Sequence, residues 1–192
     1  MLLLAGCAGK PTLYYTLADS VLPTDVAPVV TPQVYIDMAP VGVPERLARP
    51  QMVVRQQGDA NAQVNVLEQH RWASSFDNEL RDALASGVAR RLGAIDITKG
   101  GRQATTPAYR IAVQVRQFDA IESSRIDGSF SWTIRRTDET HALACQLSIS
   151  EPVGNGMDAL AQGARQLTSR LAEAIAHSLT SPASKSAALC AN

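Results

Sequence analysis

The sequence predicts an α/β fold of the α+β type, a two-layer sandwich with two amphipathic helices on one face of a mixed, mostly antiparallel sheet. Alternating apolar and polar residues predict the strands, and apolar residues at every third or fourth position predict the helices. Their order is strands, helix, strands, helix, which two packed layers accommodate most simply. With 192 residues, of which 45% are apolar, the chain can bury one core as a single domain.

The first third of the chain predicts a meander of short strands. β-preferring residues cluster at 13–17, 34–38 and 51–55, and partial alternation covers 64–72. Prolines punctuate the connectors between the first three segments, and Gly58 marks a turn before the fourth. We therefore expect these strands to pair mainly with their neighbours along the chain.

A first helix is predicted between Ser74 and Gly93. Ser74 precedes Asp77 by three positions, the spacing of a capping box that satisfies free backbone N–H groups. Gly93 is suited to end the helix in a left-handed conformation. The apolar stripe between them is expected to face the core and consists of Phe76, Leu80, Ala83, Leu84, Gly87, Val88 and Leu92.

The second half of the chain predicts an antiparallel meander and a closing helix. Alternation over 109–118, 129–135 and 143–149 indicates three strands, each with one buried and one wet face. Short connections between them indicate hairpins. Apolar residues from Leu160 to Leu179 then recur at helical spacing, and we interpret this helix as packing on the sheet rather than pairing as a coiled coil.

The N-terminal residues Leu4-Ala5-Gly6-Cys7 form a lipobox, the recognition sequence of bacterial lipoprotein processing. The Cys7 thiol would take a diacylglycerol through a thioether bond and become the new N-terminus after cleavage. No Lys or Arg precedes it, and the apolar stretch is shorter than the roughly 7–15 residues of a secretory signal. Either translation starts further upstream, or the segment is an ordinary apolar N-terminus with an incidental cysteine.

These features divide the chain into four segments. Residues 1–7 are a signal-peptide remnant with the lipobox, 8–12 a short tether, 13–179 one globular domain and 180–192 a C-terminal tail. An extended tether spans at most ~3.6 Å per residue, so the domain would lie close to the membrane surface. No apolar run approaches the roughly 20 residues of a membrane-spanning helix, so acylation would be the anchor.

Cys145 and Cys190 remain once Cys7 is acylated, and they are an even pair in an oxidising compartment. Their disulfide would close a loop of about 45 residues and contribute on the order of 4 kcal/mol to stability. It would also hold the C-terminal tail, which is rich in small and polar residues. The alternative is two unpaired thiols.

No pattern in the sequence supports catalysis, a metal site or a cofactor. His70, His141 and His177 have no Cys, His or acidic neighbour at a metal-ligand spacing on a shared face. The sequence contains no nucleophile elbow, zinc-protease helix motif or phosphate loop. Lys and Arg total 18, as do Asp and Glu, and no basic cluster indicates nucleic-acid binding.

The loop 44–51 is a candidate for partner binding because two arginines flank an exposed-looking leucine between prolines. The prolines lower the entropy cost of presenting these side chains. The alternative is a strand-to-strand crossover with solubilising charges. Trp72 is either a partner anchor or a core plug at the entry of the first helix. The candidate partner-binding residues are Leu47, Arg49, Pro50, Gln51, Arg55 and Trp72.

Several stretches resemble the PqiC-like family of ABC-type transport auxiliary lipoproteins in their order and spacing. They are 13–17, 40–44, 47–55, 71–73, 115–119 and 131–133. The resemblance extends from the lipobox to the last helix. The pattern Arg-Pro-Gln-x-Val-x-Arg at 49–55, followed by Arg-Trp-Ala at 71–73, is the part that carries the most specificity.

The resemblance implies an outer-membrane lipoprotein that faces the periplasm, with acyl chains on Cys7 as its anchor. Its partner would be a mammalian-cell-entry (MCE) protein of the inner membrane, within a lipid-transport or envelope-integrity system. Ala8 after the acylated cysteine agrees with outer-membrane sorting. A homo-oligomeric ring that matches a multimeric MCE protein is a further expectation. The alternative function is a periplasmic module that holds a lipid in an apolar cavity of several hundred Å³ between sheet and helices.

Overall fold

The computed structural model describes residues 10–18, 34–56, 62–100 and 107–180. Within these ranges, eight strands form one sheet, and two helices pack against one of its faces. The predicted two-layer α+β sandwich is therefore confirmed. The elements are β1 (Leu13–Tyr15), β2 (Tyr35–Met38), a 3-10 turn (Glu45–Leu47), β3 (Gln51–Arg55), β4 (Asn65–Trp72), α1 (Phe76–Leu92), β5 (Ile95–Asp96), β6 (Tyr109–Ile121), β7 (Arg125–Arg136), β8 (Ala142–Pro152) and α2 (Met157–Thr180).

Strand β6 is the centre of the sheet. It forms an antiparallel hairpin with β7, which continues into β8, as the alternation of the second half predicts. On its other edge β6 pairs in parallel with β2 near its start and with β3 near its end. The sheet forks there, because β2 continues to β5 while β3 continues through β4 to β1.

The opening third differs from the predicted meander. Among its described strands, only β3 and β4 pair as antiparallel neighbours, whereas β1 pairs in parallel with β4, and β2 with β5 and β6. Parallel pairing requires the chain to cross over between strands, which long connectors allow. Alternation within a strand predicts which residues are buried but does not identify the neighbouring strand, so the sequence pattern could not show this pairing.

The N-terminus of α1 also differs from the prediction. Its N-cap is Ser75, so Ser74 and Asp77 do not form a capping box. The Ser74 hydroxyl instead lies 3.1 Å from Glu79 Oε1. At the other end Gly93 adopts the left-handed conformation with φ of 59°, and the predicted end of the helix is confirmed.

The core lies between the helices and one face of the sheet, which we call the inner face; the opposite side is the outer face. Alternate residues of β6, β7 and β8 point to the core, and each helix contributes one stripe. A Cβ atom on Gly87 would come within 2.9 Å of Ala172 Cβ, so small residues let the two helices cross in close contact. Fully buried side chains include Ile36, Leu84, Ile111, Ile126, Phe130, Leu167 and Ile175.

Candidate functional site

The structure places Leu47 in the core, whereas the sequence analysis expects it at the surface. Leu47 is 5% exposed and lines the same apolar wall as Trp72 and Phe76. The 3-10 turn produces this arrangement, because the Leu47 N–H donates to the Pro44 carbonyl at 2.8 Å and the leucine side chain is turned inward. The loop therefore presents charged side chains to solvent, while its leucine stabilises the fold.

Trp72 is also a core residue, as the alternative interpretation of this position expects. It is 6% exposed, and its ring centroid lies 5.7 Å from that of Phe76. Phe76 in turn lies 4.7 Å from Phe118 of β6, so three aromatic rings join α1 to the sheet. The backbone N–H of Trp72 donates to the Pro50 carbonyl at 2.7 Å, and this bond holds the loop against the end of β4.

Three arginines, Arg46, Arg49 and Arg55, lie around this region, and we call them the arginine rim. Arg46 is exposed, and the other two are half-buried. Arg55 Nε lies 3.3 Å and Arg46 Nη2 3.6 Å from Oδ1 of Asp119 on β6. The Asp119 side chain is 17% exposed and also accepts a hydrogen bond of 2.7 Å from Gln117. Because this carboxylate is largely buried and held by several donors, it orients both guanidinium groups.

Arg49 is held differently from the other two arginines of the rim. Its backbone carbonyl accepts a hydrogen bond of 3.3 Å from the Phe76 N–H, which fixes the backbone at the start of α1. Its Nε is buried and has no hydrogen-bond partner among the described residues. No carboxylate of the described chain pairs with this guanidinium. Among the described residues, Arg49 is therefore the cation of the rim that has no carboxylate partner.

Gln51 lies at the start of β3 and belongs to a neighbouring polar network rather than to the rim. Its Nε2 donates to Glu68 Oε2 at 3.4 Å, and Arg71 Nη2 lies 2.9 Å from the same oxygen. The exposed positions of this network make its electrostatic contribution to stability small. Gln51 is thus the last residue of the loop, but its amide already has a partner.

The N-terminal strand is fastened to the body by residues that the sequence analysis did not identify. The Tyr15 hydroxyl lies 3.1 Å from His70 Nδ1. Glu79 of α1 accepts hydrogen bonds from the Thr16 hydroxyl at 2.8 Å and from the Leu17 N–H at 3.0 Å. These contacts join positions more than 50 residues apart, so no local sequence signal could have shown them.

Tyr15 also contacts the first turn of α2. Burial raises the pKa of its hydroxyl, and a hydrogen bond to Asp158 together with the negative charge of that carboxylate raises it further. The neutral phenol is therefore the form that the folded protein favours. Tyr15 thus joins β1 to β4 and α2 at the point where the predicted tether enters the domain.

The space between the sheet and the helices is nearly filled. The cavity bounded by Leu47, Trp72, Phe118 and Leu160 has a volume of about 10 Å³, enough for about one water molecule. A lipid acyl chain needs a cavity of several hundred Å³. The helices would therefore have to separate from the sheet before a lipid could bind in this cavity of the described residues.

Of the three cysteines, Cys145 lies within the described residues. Cys145 is buried on β8, and its Sγ lies 3.8 Å from the Ser178 hydroxyl near the end of α2. Cys7 and Cys190 lie outside the described residues, so acylation and the Cys145–Cys190 disulfide stay predictions. Eleven residues lie between Ser178 and Cys190, which is ample chain to return to Cys145.

Metal binding and membrane crossing find no support in the described residues. No group of three His, Cys, Asp or Glu side chains in them has the arrangement of a metal site. Neither of the two helices combines the length and the apolar character needed to span a bilayer.

Comparison with known proteins shows a family match and a shared fold. Residues 15–176 match the family of ABC-type transport auxiliary lipoprotein components. A crystal structure of a protein described as uncharacterized has a TM-score of 0.68 at 16% identity, over 89% of this chain and 100% of that chain. A Xanthomonas campestris protein of the DUF330 family has a TM-score of 0.58 at 13% identity, over 88% of this chain and 86% of that chain. No curated protein matches this chain.

Proposed function

The chain belongs to the family of ABC-type transport auxiliary lipoprotein components, and we propose that it is a non-enzymatic docking subunit of an MCE-type lipid-transport system. In this proposal acyl chains on Cys7 anchor it to the outer membrane, and the folded domain faces the periplasm. The domain would receive the end of an MCE protein that extends from the inner membrane. The arginine rim is the surface that we assign to this contact.

The filled core supports docking over lipid carriage. Among the described residues, the cavity beside Leu47 and Phe118 between sheet and helices has a volume of about 10 Å³, which is too small for an acyl chain. A body packed in this way can present surface groups in one geometry, which reduces the entropy lost on binding. The domain would therefore contribute partner specificity, while the lipid is carried elsewhere in the assembly.

The arginine rim is suited to a partner with acidic groups. Arg46 and Arg55 both contact the carboxylate of Asp119, whereas Arg49 has no carboxylate partner among the described residues and leaves one positive charge of the rim unpaired there. Arginine is enriched at interface hot spots because its planar group binds carboxylates in a defined geometry. Charge complementarity would then direct the orientation of docking as well as its rate.

Charge reversal at the rim tests the docking role. The full chain, co-expressed with the MCE protein of the same organism, would be captured through an affinity tag on the MCE protein. We expect Arg49→Glu to lower capture about tenfold or more, because it replaces an attraction with a repulsion. Arg49 is half-buried, so its replacement also removes packing, and capture is therefore compared at equal amounts of folded protein.

Two variants serve as controls for this experiment. Arg125→Glu changes an arginine outside the rim that is 51% exposed and lies 2.8 Å from Asp127, and it should leave capture unchanged. Leu47→Ala shows the effect of lost stability, which is separate from that of the rim charge. It should lower the free energy of unfolding by about 2–5 kcal/mol, because it removes a buried side chain. Equal capture by wild type and Arg49→Glu, or equal losses for Arg49→Glu and Arg125→Glu, contradicts the assignment of the rim.

Metabolic labelling with an alkyne fatty acid tests the anchor independently. Labelled protein should fractionate with the outer membrane, and Cys7→Ser should abolish the label and release the protein from that fraction. Cys190→Ser is the matched control and should keep the label, because only the lipobox cysteine is acylated in this proposal. Unlabelled wild-type protein in the cytosol contradicts both the anchor and the proposed location.

A further inference from the structure

The outer face of the sheet carries two arginines that face each other across antiparallel strands. Arg110 of β6 is the register partner of Arg135 of β7, so their side chains occupy directly opposed positions. Like charges at such positions repel each other. Asp37 of β2 is next in the same row, and its Oδ2 lies 2.9 Å from Arg110 Nη1. The carboxylate in this row therefore pairs with Arg110, next to which Arg135 lies.

Arg135 has no partner of its own among the described residues. The acidic residues that follow it, Asp138 and Glu139, lie 2.9 Å and 4.0 Å from the guanidinium of Arg136. Arg136 points to the opposite face of the strand, so these carboxylates do not reach Arg135. The hairpin between β7 and β8 thus leaves Arg135 exposed next to a second arginine.

Both arginines line a hollow of about 390 Å³, whose other lining residues are Asp37, Ile97 and Thr137. The Thr137 Oγ1 accepts a hydrogen bond of 3.1 Å from the Ala108 N–H, so its own O–H is available to donate. Ile97 supplies an apolar wall. The charges of Arg110 and Arg135 less that of Asp37 leave one positive charge in the hollow.

We propose that this hollow binds a phosphate group carrying about one negative charge. A guanidinium group donates paired hydrogen bonds to phosphate oxygens, and two of them converge here. The Thr137 hydroxyl adds a third donor group, and Ile97 can contact an alkyl substituent of a phosphodiester. Inorganic phosphate and a phospholipid headgroup both offer this chemistry. The site does not depend on the docking role, because it lies away from the arginine rim and uses none of its residues.

Titration of the full 15N-labelled chain by NMR tests the site. Inorganic phosphate should shift the resonances of Arg110, Arg135 and Thr137, whereas sodium chloride at the same ionic strength should not. Arg135→Gln should weaken phosphate binding about tenfold, since it removes a charged donor. Asp37→Asn should strengthen binding, because it frees Arg110 from its carboxylate and raises the charge of the hollow. Arg125→Gln, at the other end of β7, is the matched control and should bind as the wild type does.

The source of the phosphate is distinguished with soluble short-chain lipids. If dihexanoyl-phosphatidylglycerol competes with inorganic phosphate and binds more tightly, the ligand is an anionic headgroup; if only inorganic phosphate binds, it is the free ion. Either result supports the site. Shifts that chloride reproduces, or phosphate affinity that is equal in wild type, Arg135→Gln and Asp37→Asn, overturn it.

Discussion

The two faces of β7 differ in burial and in polarity, although their residues alternate along one strand. Its inner face is buried against α2 and consists of Ile126, Gly128, Phe130, Trp132 and Ile134. Its outer face consists of Asp127, Ser129, Ser131, Thr133 and Arg135. The inner face contributes apolar contacts to one filled core, whereas the outer face keeps hydroxyl and charged groups available to solvent. The pleat of the sheet therefore separates the apolar core contacts of β7 from its polar, solvent-facing groups.

The loop 44–51 and its surroundings show the same separation of buried apolar residues from charged surface residues. Leu47 and Trp72 reach the core side and position the backbone, while Arg46, Arg49 and Arg55 remain at the surface. The charged rows of the outer face lie at opposite ends of β6, with Arg110 at its start and Asp119 near its end. The two proposed binding regions are thus distinct places on a common frame.

Among the variants that test this difference between the two faces, Phe130→Ala should have the largest effect on stability. Phe130 is fully buried, and its ring fills the space left by Gly128, where a Cβ atom would lie 2.6 Å from it. Truncation should lower the free energy of unfolding by about 3–5 kcal/mol, through lost burial and a cavity that the neighbours fill only in part. Urea denaturation followed by circular dichroism measures this. A loss below about 1 kcal/mol would contradict the tight packing of the inner face.

Cys190→Ser should have an intermediate effect if Cys190 pairs with the inner-face residue Cys145. Under oxidising conditions we expect a loss of about 2–4 kcal/mol, because the loop closed by the bridge is no longer constrained in the unfolded chain. Urea denaturation with and without dithiothreitol should show that the difference from wild type disappears on reduction. Cys7→Ser is the control and should not change stability. Free Cys145 thiol in the purified, oxidised wild type excludes the bridge.

Ser131→Ala should have the smallest effect, although Ser131 is the immediate neighbour of Phe130. The serine lies on the outer face between Gln114 and Gln146 in the sheet register. We expect a change within about 0.5 kcal/mol, since the substitution leaves the core untouched. The same urea experiment compares it directly with Phe130→Ala. If both variants lose similar stability, the outer face is as important for folding as the inner face, and the division proposed here fails.

The sequence pattern predicted the second half of the domain better than the first. Alternation over β6, β7 and β8 identified their buried residues, and short connections identified their antiparallel order, because hairpin pairing is local. In the first third the same kind of pattern located the strands and the β3–β4 pairing, but it misassigned the neighbours of β1 and β2. Parallel pairing of β1 with β4, and of β2 with β6, joins distant segments, for which a local pattern carries no information.

The candidate site shows the same limit at the level of single residues. The sequence singled out the loop 44–51 and Trp72, and these do lie together. It could not show that a 3-10 turn rotates Leu47 into the core, because an apolar residue between two charged ones fits a surface anchor equally well. Nor could it show that Asp119, more than 60 residues away, holds Arg55.

Residue periodicity alone determined that this chain forms strands and amphipathic helices in two layers, since burial on one side of each element imposes a period of two or near 3.6. The family resemblance likewise depends on residues read in order along the chain. Only the tertiary structure decided which strands lie side by side, which arginines are neutralised and which remain available. Those outcomes depend on distances between atoms far apart in the chain, and such distances exist only once the chain has folded.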